Sequence, residues 1–384
     1  MYLVNLKNKK VGKSLEDEAW GIIIKSDSED WELIGNRQLY ADFKSGKNTG
    51  HPIGRYWVQD DGTARKCDPK DSSKFLDGST VPLDKGQFMV YLPRLYYLVK
   101  EDKENNRRYL WMSDHDIGGH YLESSMIGAF LSTNYNGKAY SRPSDNIGND
   151  WSITTGFERN QAVGKNFTNM DYDQWRYLIM LHLSEFGSID IQNTIGIGCD
   201  WTIDNVGNTL NFGDSIGYYN KKSSSIETSK NVIGKQNFFG IEGILHKHIY
   251  CGGLLNNEDG IYVYKDPNNL YKTKEEIFKL GERNYRVIPN TYKQKNTYIV
   301  DIIGEDYFDI FMSKSSKNNQ KIWGSDEQKT LFSKYNDDTS FTLFGHGDLI
   351  FYGLAYADGS NAFIAYANGS TACRNGYFGP IKFI

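Results

Sequence analysis

Short runs in which apolar and polar residues alternate dominate the chain, and they predict a strand-rich protein. The runs mix Val, Ile, Tyr and Phe with polar residues at a period of two, as in strands that are buried on one face. Turn-forming Asn, Asp, Ser and Gly separate them. The predicted strands span residues 20–25, 87–92, 96–100, 109–112, 260–264, 297–303 and 349–356. The 38 glycines agree with many tight turns between such strands.

A helical period is clearest in residues 171–186, where Trp175, Leu178, Ile179, His182 and Phe186 form one apolar stripe. Asp171 and Gln174 have the spacing of a capping box at its start, and Gly187 is suited to its end. Shorter helices are predicted at residues 155–163, opened by Thr155 and Glu158, and at residues 273–281. The expected fold class is therefore α+β and strand-rich, with few helices and long loop insertions.

Length and charge narrow the classes of function. A chain of 384 residues forms two or three domains or one elaborated domain, and the lack of internal repeats or long linkers favours one unit. Lys and Arg total 44 against 48 Asp and Glu, without a basic half, which argues against a nucleic-acid binder. The apolar run near the N-terminus is too short for an export signal or a membrane span, so we expect no membrane insertion.

Cysteine and nucleotide chemistry lack their usual motifs. Cys67, Cys199, Cys251 and Cys373 stand far apart, so neither a CxxC redox or zinc pattern nor a dense disulfide framework is formed. The chain has no glycine-rich dinucleotide motif, phosphate-binding loop or serine nucleophile elbow. We therefore expect free thiols and no cofactor.

Metal binding is a minority interpretation. His246 with His248, and His115 with His120, are the histidine pairs with ligand-like spacing, but no companion carboxylate or cysteine completes either set. The acidic clusters at Asp114 and Asp116 and at Asp337 and Asp338 match no calcium loop and are expected to be solvated turns. Asn149, Asp150 and Trp151 resemble a calcium-lectin motif without its partner triplet. No metal site is predicted.

The C-terminal segment from Ser340 contains the strongest candidate binding face. It is almost free of charge and interleaves aromatic side chains with Asp, Ser and Asn, the residue types of adaptable binding surfaces. The candidate ligand-binding residues are Tyr352, Tyr356, Asp358, Ser360, Asn361, Phe363, Tyr366 and Asn368. Any one of these aromatic side chains is equally compatible with a place in the core. Strand alternation puts Tyr352 and Tyr356 on one face.

Several motifs occur in an order that resembles a known family. They are WGIII at Trp20, IGN at Ile34, QDDGT at Gln59, DGS at Asp77, GQFMVYLPRLYY at Gly86, IGAF at Ile127, GKAYS at Gly137, the 171–186 helix, SEFGSIDIQNTIGIG at Ser184 and FGIEGI at Phe239. The chain is similar to bacteriophage C-type-lectin-like proteins of the major tropism determinant type, which include variable proteins of diversity-generating retroelements. The last motif is also similar to a stretch in formylglycine-generating enzymes, which share that fold.

The resemblance implies a C-type-lectin-like unit over residues 20–384, an N-terminal arm over residues 1–19 and a ligand face at about residues 340–375. Residues from about 265 to 340 match nothing in the family and are an expected insertion. The family closes with an arginine near its last strand, where this chain reads GYFGPIKFI from Gly376. Either Lys382 replaces that arginine or the anchor is absent.

The resemblance favours a virion adhesin, that is, a tail-fibre or head-fibre protein that binds a bacterial surface glycan or protein and is not an enzyme. Its expected partners are that receptor and other virion proteins, and its expected location is the virion, assembled in the bacterial cytoplasm. A homo-oligomer, most simply a trimer, would give avidity. The alternatives are a purely structural capsid or tail decoration protein and an enzyme like the formylglycine generators. The enzyme needs two nearby cysteines, and Cys373 stands alone in its segment.

Overall fold

The computed structural model describes residues 14–25, 31–105, 107–143, 153–187, 237–242 and 374–384. It also describes the backbone of six further strands between residues 254 and 357. Residues 14–19 lie against the first sheet: Ala19 is buried, and the Ser113 hydroxyl donates to the Glu18 carbonyl over 2.9 Å. The rest of the expected N-terminal arm, residues 1–13, lies outside the described residues.

The described residues form short strands with a few helices between them. The helices are α1 (Leu15–Glu18), α2 (Arg37–Ser45), α3 (Ile153–Gln161) and α4 (Tyr172–Phe186). The strands are β1 (Trp20–Lys25), β2 (Glu32–Gly35), β3 (Gly54–Val58), β4 (Thr63–Lys66), β5 (Gln87–Leu92), β6 (Leu95–Asp102), β7 (Arg107–Ser113), β8 (His120–Leu122), β9 (Ser125–Gly128), β10 (Ser132–Tyr135), β11 (Lys138–Ser141), β12 (Phe167–Asn169), β13 (Asn237–Phe238), β14 (Ile241–Glu242), β15 (Leu254–Asn256), β16 (Gly260–Tyr264), β17 (Tyr285–Pro289), β18 (Thr330–Tyr335), β19 (Ser340–Gly345), β20 (Tyr356–Ala357), β21 (Asn375–Tyr377) and β22 (Lys382–Phe383). The expected strand-rich character with few helices is confirmed.

Two larger sheets organise these strands. A five-stranded antiparallel sheet has the order β2-β1-β7-β6-β8. A seven-stranded sheet has the order β12-β21-β9-β5-β3-β4-β22 and is antiparallel except for the parallel pair of β4 and β22. The C-terminal strand β21 therefore lies inside the second sheet, between strands from the middle of the chain. The smaller units are the hairpins β10-β11 and β13-β14 and the sheets β15-β16-β17 and β18-β19-β20.

Most predicted strands that fall on described residues are confirmed, but their burial differs from the expected alternation. All six residues of β5 are buried. On one face, Met89 and Tyr91 belong to a core cluster with Tyr56, Met126 and Tyr377, among others. On the other face, the Phe88 ring lies 4.9 Å from that of Trp57 and 5.8 Å from that of Phe130. A central strand covered on both faces shows no polar side. Strand 297–303 lies outside the described residues, as does strand 349–356 apart from Tyr356.

Helix α4 has both predicted ends. The Asp171 side chain accepts a hydrogen bond from the Gln174 backbone over 2.8 Å, which completes a capping box, and Gly187 adopts the left-handed conformation. The predicted apolar stripe is too narrow, because almost the whole helix is buried. Its polar Ser184 accepts from the Trp20 indole over 3.0 Å inside the protein.

The other predicted helices fare differently. Helix α3 begins at Ile153, so Thr155 lies within it instead of capping it, and residues 273–281 lie outside the described part. Across the described residues, no helix is both long and apolar enough to cross a membrane.

Candidate ligand-binding surface

Little of the predicted C-terminal face falls on described residues. Tyr356 lies in β20, where its backbone pairs with Thr342 of β19. Outside the described residues are Tyr352, Asp358, Ser360, Asn361, Phe363, Tyr366 and Asn368. That face stays a prediction from the sequence, and the site is built here from the side chains that the structure describes.

The C-terminal end of that segment is fixed by a buried arginine. Arg374 immediately precedes β21 and is 1% exposed. Its guanidinium donates to the carbonyl of Gly128 over 2.7 Å and to that of Glu242 over 2.6 Å. Burial lowers the pKa of Arg374 to about 9, although the Glu242 carboxylate opposes this shift. From the sequence we expected either Lys382 or no anchor here, whereas in the structure the buried Arg374 lies at this end of the segment.

Lys382 does not take this role. It lies on β22 at the edge of the sheet, its side chain is 63% exposed, and its ammonium is 3.8 Å from the Asp61 carboxylate. An edge strand directs such a side chain to solvent, whereas the interior strand β21 places Arg374 in the core. The available signal was that Arg374 is the only arginine between Ser340 and the C-terminus.

A second arginine shares Glu242 with Arg374. The Arg55 guanidinium donates to the Glu242 carboxylate over 3.0 Å and to the Gly240 carbonyl over 2.6 Å. The side chains of Arg55 and Glu242 are each 4% exposed. Glu242 and Gly240 belong to the FGIEGI motif, so this part of the motif builds the scaffold under the C-terminal strand.

Next to this scaffold is a tight hairpin that the sequence reasoning missed. Asn136 and Gly137 connect β10 to β11 with positive φ angles of 52° and 80°. Asn-Gly in a two-residue loop is a strong local hairpin signal. Hydrogen bonds connect the hairpin to the seven-stranded sheet. Asn375 of β21 donates to the Ala139 carbonyl over 2.8 Å, and the Ser141 backbone donates to the Gln87 side chain over 2.9 Å.

An aromatic and charged cluster lies on and beside this hairpin. We call it the Tyr135 surface, and it consists of Trp57, Asp60, Tyr135, Lys138, Tyr140 and Arg142. The Arg142 guanidinium carbon lies 4.0 Å from the ring centroid of Tyr140, 5.2 Å from that of Tyr135 and 5.8 Å from that of Trp57. Tyr135 is 50% exposed, whereas Arg142 is 7% exposed. The cluster thus offers an open aromatic ring above a buried cation.

Hydrogen bonds organise the polar side of the Tyr135 surface. The Asp60 carboxylate accepts from the Tyr140 hydroxyl over 2.9 Å and from the Lys138 ammonium over 3.2 Å. Burial and then this carboxylate raise the pKa of Tyr140, and the hydrogen bond to Asp60 raises the pKa of Lys138. Burial lowers the pKa of Arg142. The surface therefore holds fixed donors, a fixed acceptor and aromatic faces, the groups that recognise a polar ligand.

The cysteine that the structure describes is unsuited to thiol chemistry. Burial raises the pKa of Cys67 to about 12, so its thiol stays protonated at neutral pH. Cys199, Cys251 and Cys373 lie outside the described residues.

The histidine and aspartate candidates that the structure describes have local partners. His115 Nδ1 lies 2.7 Å from the Asp114 carboxylate, and Asp116 accepts from the Gly118 backbone over 2.8 Å in a turn. The ring of His120 lies 5.6 Å from that of Tyr97. Within the described ranges, no three His, Cys, Asp or Glu side chains are grouped to hold a metal ion. Outside the described residues are His246, His248, Asn149, Asp150, Trp151, Asp337 and Asp338.

We also compared the chain with known protein families and curated proteins. No protein-family model matches the chain, and no curated protein is significantly similar to it.

Proposed function

We propose that the chain is a bacteriophage virion adhesin of C-type-lectin-like fold that binds a bacterial surface glycan. The observation that carries the proposal is the Tyr135 surface, where an exposed aromatic ring, a carboxylate and two cations lie together on and beside the β10-β11 hairpin. The non-polar C–H face of a sugar ring packs on an aromatic ring, while its hydroxyls need both donors and acceptors. Asp60 and Lys138 provide such an acceptor and donor beside Tyr135 and Tyr140.

The C-terminal face is the second part of the proposal. A binding segment needs a rigid base, and Arg374 together with β21 provides one at the end of residues 346–373. Asn375 also bonds to the hairpin of the Tyr135 surface, so that base is common to both regions. The proposed assembly is a homo-oligomer, in the simplest case a trimer, carried on the virion beside other virion proteins, because several weak sites bind a surface jointly.

The test of the Tyr135 surface is binding of the fluorescently labelled protein to a panel of bacterial strains. We expect Tyr135→Ala to weaken binding at least about tenfold, because it removes the open aromatic ring from the surface. The matched control is Tyr121→Ala. Tyr121 is 46% exposed and also lies near an arginine, since the Arg94 guanidinium carbon is 5.3 Å from its ring centroid. Arg94, however, is half exposed and is paired with Glu123.

Tyr121→Ala should bind cells like the unaltered protein. Equal losses for the two variants would contradict the assignment of the Tyr135 surface. Failure of the unaltered protein to bind any strain, in an assay that detects a known adhesin, would favour the structural decoration protein.

The C-terminal face is tested separately in the same assay. Tyr356→Ala combined with Asn361→Ala should abolish cell binding and lower the free energy of unfolding by less than about 0.5 kcal/mol, as exposed substitutions do. Chemical denaturation measures the second quantity. Unchanged cell binding by this folded double variant would remove the C-terminal face from the proposal, and a large loss of stability would assign the two side chains to the core.

A further inference from the structure

Arg142 is a buried cation for which the described residues supply no counter-ion. It is 7% exposed, and its Nε donates to the neutral carbonyl of Gly86 over 2.6 Å. Its Nη2 is buried and has no hydrogen-bond partner in the described part of the protein. The other buried arginines near the seven-stranded sheet behave differently, because Arg55 and Arg374 both interact with Glu242. Buried charges in proteins are normally paired, so Arg142 is an exception that calls for an explanation.

The two described carboxylates that influence Arg142 are engaged elsewhere or exposed. Asp60 and Asp84 interact electrostatically with Arg142, but neither forms an ion pair with it among the described contacts. Asp60 accepts from Tyr140 and Lys138 instead. The rings of Trp57, Tyr135 and Tyr140 partly compensate the charge of the guanidinium through cation–π contacts. These ring contacts supply no acceptor for Nη2, which keeps no hydrogen-bond partner in the described part of the protein.

A second donor without a partner lies close to the first. The indole Nε1 of Trp57 is buried and forms no hydrogen bond within the described residues. Gly86 locates it. The Gly86 carbonyl receives Arg142, and a β-carbon added to Gly86 would lie 2.9 Å from Trp57 Cε2, the carbon bonded to Nε1. Two donors that lack a partner among the described residues, one of them charged, therefore flank the same glycine, and the charged one lies below the exposed Tyr135 ring.

From these contacts we infer that the Tyr135 surface binds an acidic sugar, with the sugar carboxylate as the missing counter-ion of Arg142. The inference rests on the proposed glycan-binding function and specifies its ligand class. A carboxylate can accept charge-assisted hydrogen bonds from both the guanidinium and the indole. These bonds remove the free-energy cost of burying the two donors without acceptors. Tyr135 is 50% exposed, so a change of its side-chain rotamer can open a path to the guanidinium while its ring stays beside the sugar.

The other groups of the surface favour a saccharide over an acidic peptide. The open face of Tyr135 suits the C–H face of a pyranose ring. Asp60 is an acceptor beside it and serves the hydroxyl groups of a sugar, whereas it repels the further carboxylates of an acidic peptide. A single carboxylate on a ring rich in hydroxyls matches both requirements.

The experiment compares matched probes on the unaltered protein by isothermal titration calorimetry or ligand-observed NMR. The probes are the methyl glycosides of glucuronic, galacturonic and mannuronic acid, each beside its carboxamide, which has the same shape without the charge. We expect at least one acid to bind tenfold or more tightly than its carboxamide, and this ratio to shrink at high salt. Arg142→Met should reduce the ratio to about one, and Arg142→Lys should retain part of it.

Each outcome decides between the two proposals. Equal binding of acid and carboxamide overturns the acidic-sugar inference and leaves glycan binding intact. Absence of binding to every probe, while Tyr135-dependent cell binding persists, overturns the inference as well. Tighter binding of a diacidic peptide such as acetyl-Asp-Asp-amide than of any uronic acid would replace the saccharide with a protein ligand. Loss of both probe binding and Tyr135-dependent cell binding overturns the proposed function of this surface. If Arg142→Met does not fold, the comparison of acid with carboxamide on the unaltered protein still decides.

Discussion

Replacing Arg374 with Met is expected to lower the free energy of unfolding by at least about 3 kcal/mol. The variant removes the two buried hydrogen bonds from the guanidinium to the carbonyls of Gly128 and Glu242, and loss of a buried hydrogen bond costs about 1–3 kcal/mol. It also removes one of the two cations beside the Glu242 carboxylate. The measurement is urea denaturation followed by circular dichroism.

The matched control is Lys382→Met, which removes the other positive charge of the last 45 residues. Because Lys382 is 63% exposed and its ammonium is 3.8 Å from Asp61, we expect a change below about 0.5 kcal/mol. Similar losses for the two variants would contradict the assignment of Arg374 as the anchor of the C-terminal segment.

The sequence predicted helices and strands that are determined by residues close together in the chain. Helix α4 was predicted with both ends because each end is set by residues close in sequence, Asp171 with Gln174 at the start and Gly187 with Leu183 at the end. Strand β5 was predicted from its residue types, but its complete burial depends on partners from other strands, which no local period encodes. The Asn136-Gly137 turn was equally local, and attention to that dipeptide would have found the hairpin.

The charge pairing of the core could not be predicted in the same way. Arg55 meets Glu242 across 187 residues of sequence, and Asn375 meets Gln87 across 288. The sequence near Arg374 does not show that the Glu242 carboxylate lies beside it, and the sequence near Arg142 does not show that no described carboxylate forms an ion pair with it. This difference, on which the ligand inference depends, arises only when β5, β11 and β21 are brought together.

A second large loss of stability is expected when Gly86 is replaced. This glycine packs against the seven-stranded sheet and its carbonyl also accepts a hydrogen bond from Arg142 of the Tyr135 surface. Its φ of +99° disfavours any residue with a β-carbon, and that carbon would lie 2.5 Å from the Val58 carbonyl oxygen and 2.9 Å from the Trp57 indole. Neither neighbour has room to yield, since Val58 is part of a central strand and Trp57 is 2% exposed. Gly86→Ala is therefore expected to cost about 3 kcal/mol or more, the sum of backbone strain and overpacking.

Gly78→Ala separates these two causes. Gly78 has a similar φ of +81°, but nothing lies within 4 Å of an added β-carbon, so only the strain of about 1–2 kcal/mol is expected. Chemical denaturation measures both costs, and equal values would show that Gly86 is required for its φ alone. Because the Gly86 carbonyl accepts from Arg142, we expect a displacement of the Gly86 backbone to shift the guanidinium below Tyr135. Gly86→Ala should then weaken ligand binding even under conditions in which it remains folded, whereas Gly78→Ala should not.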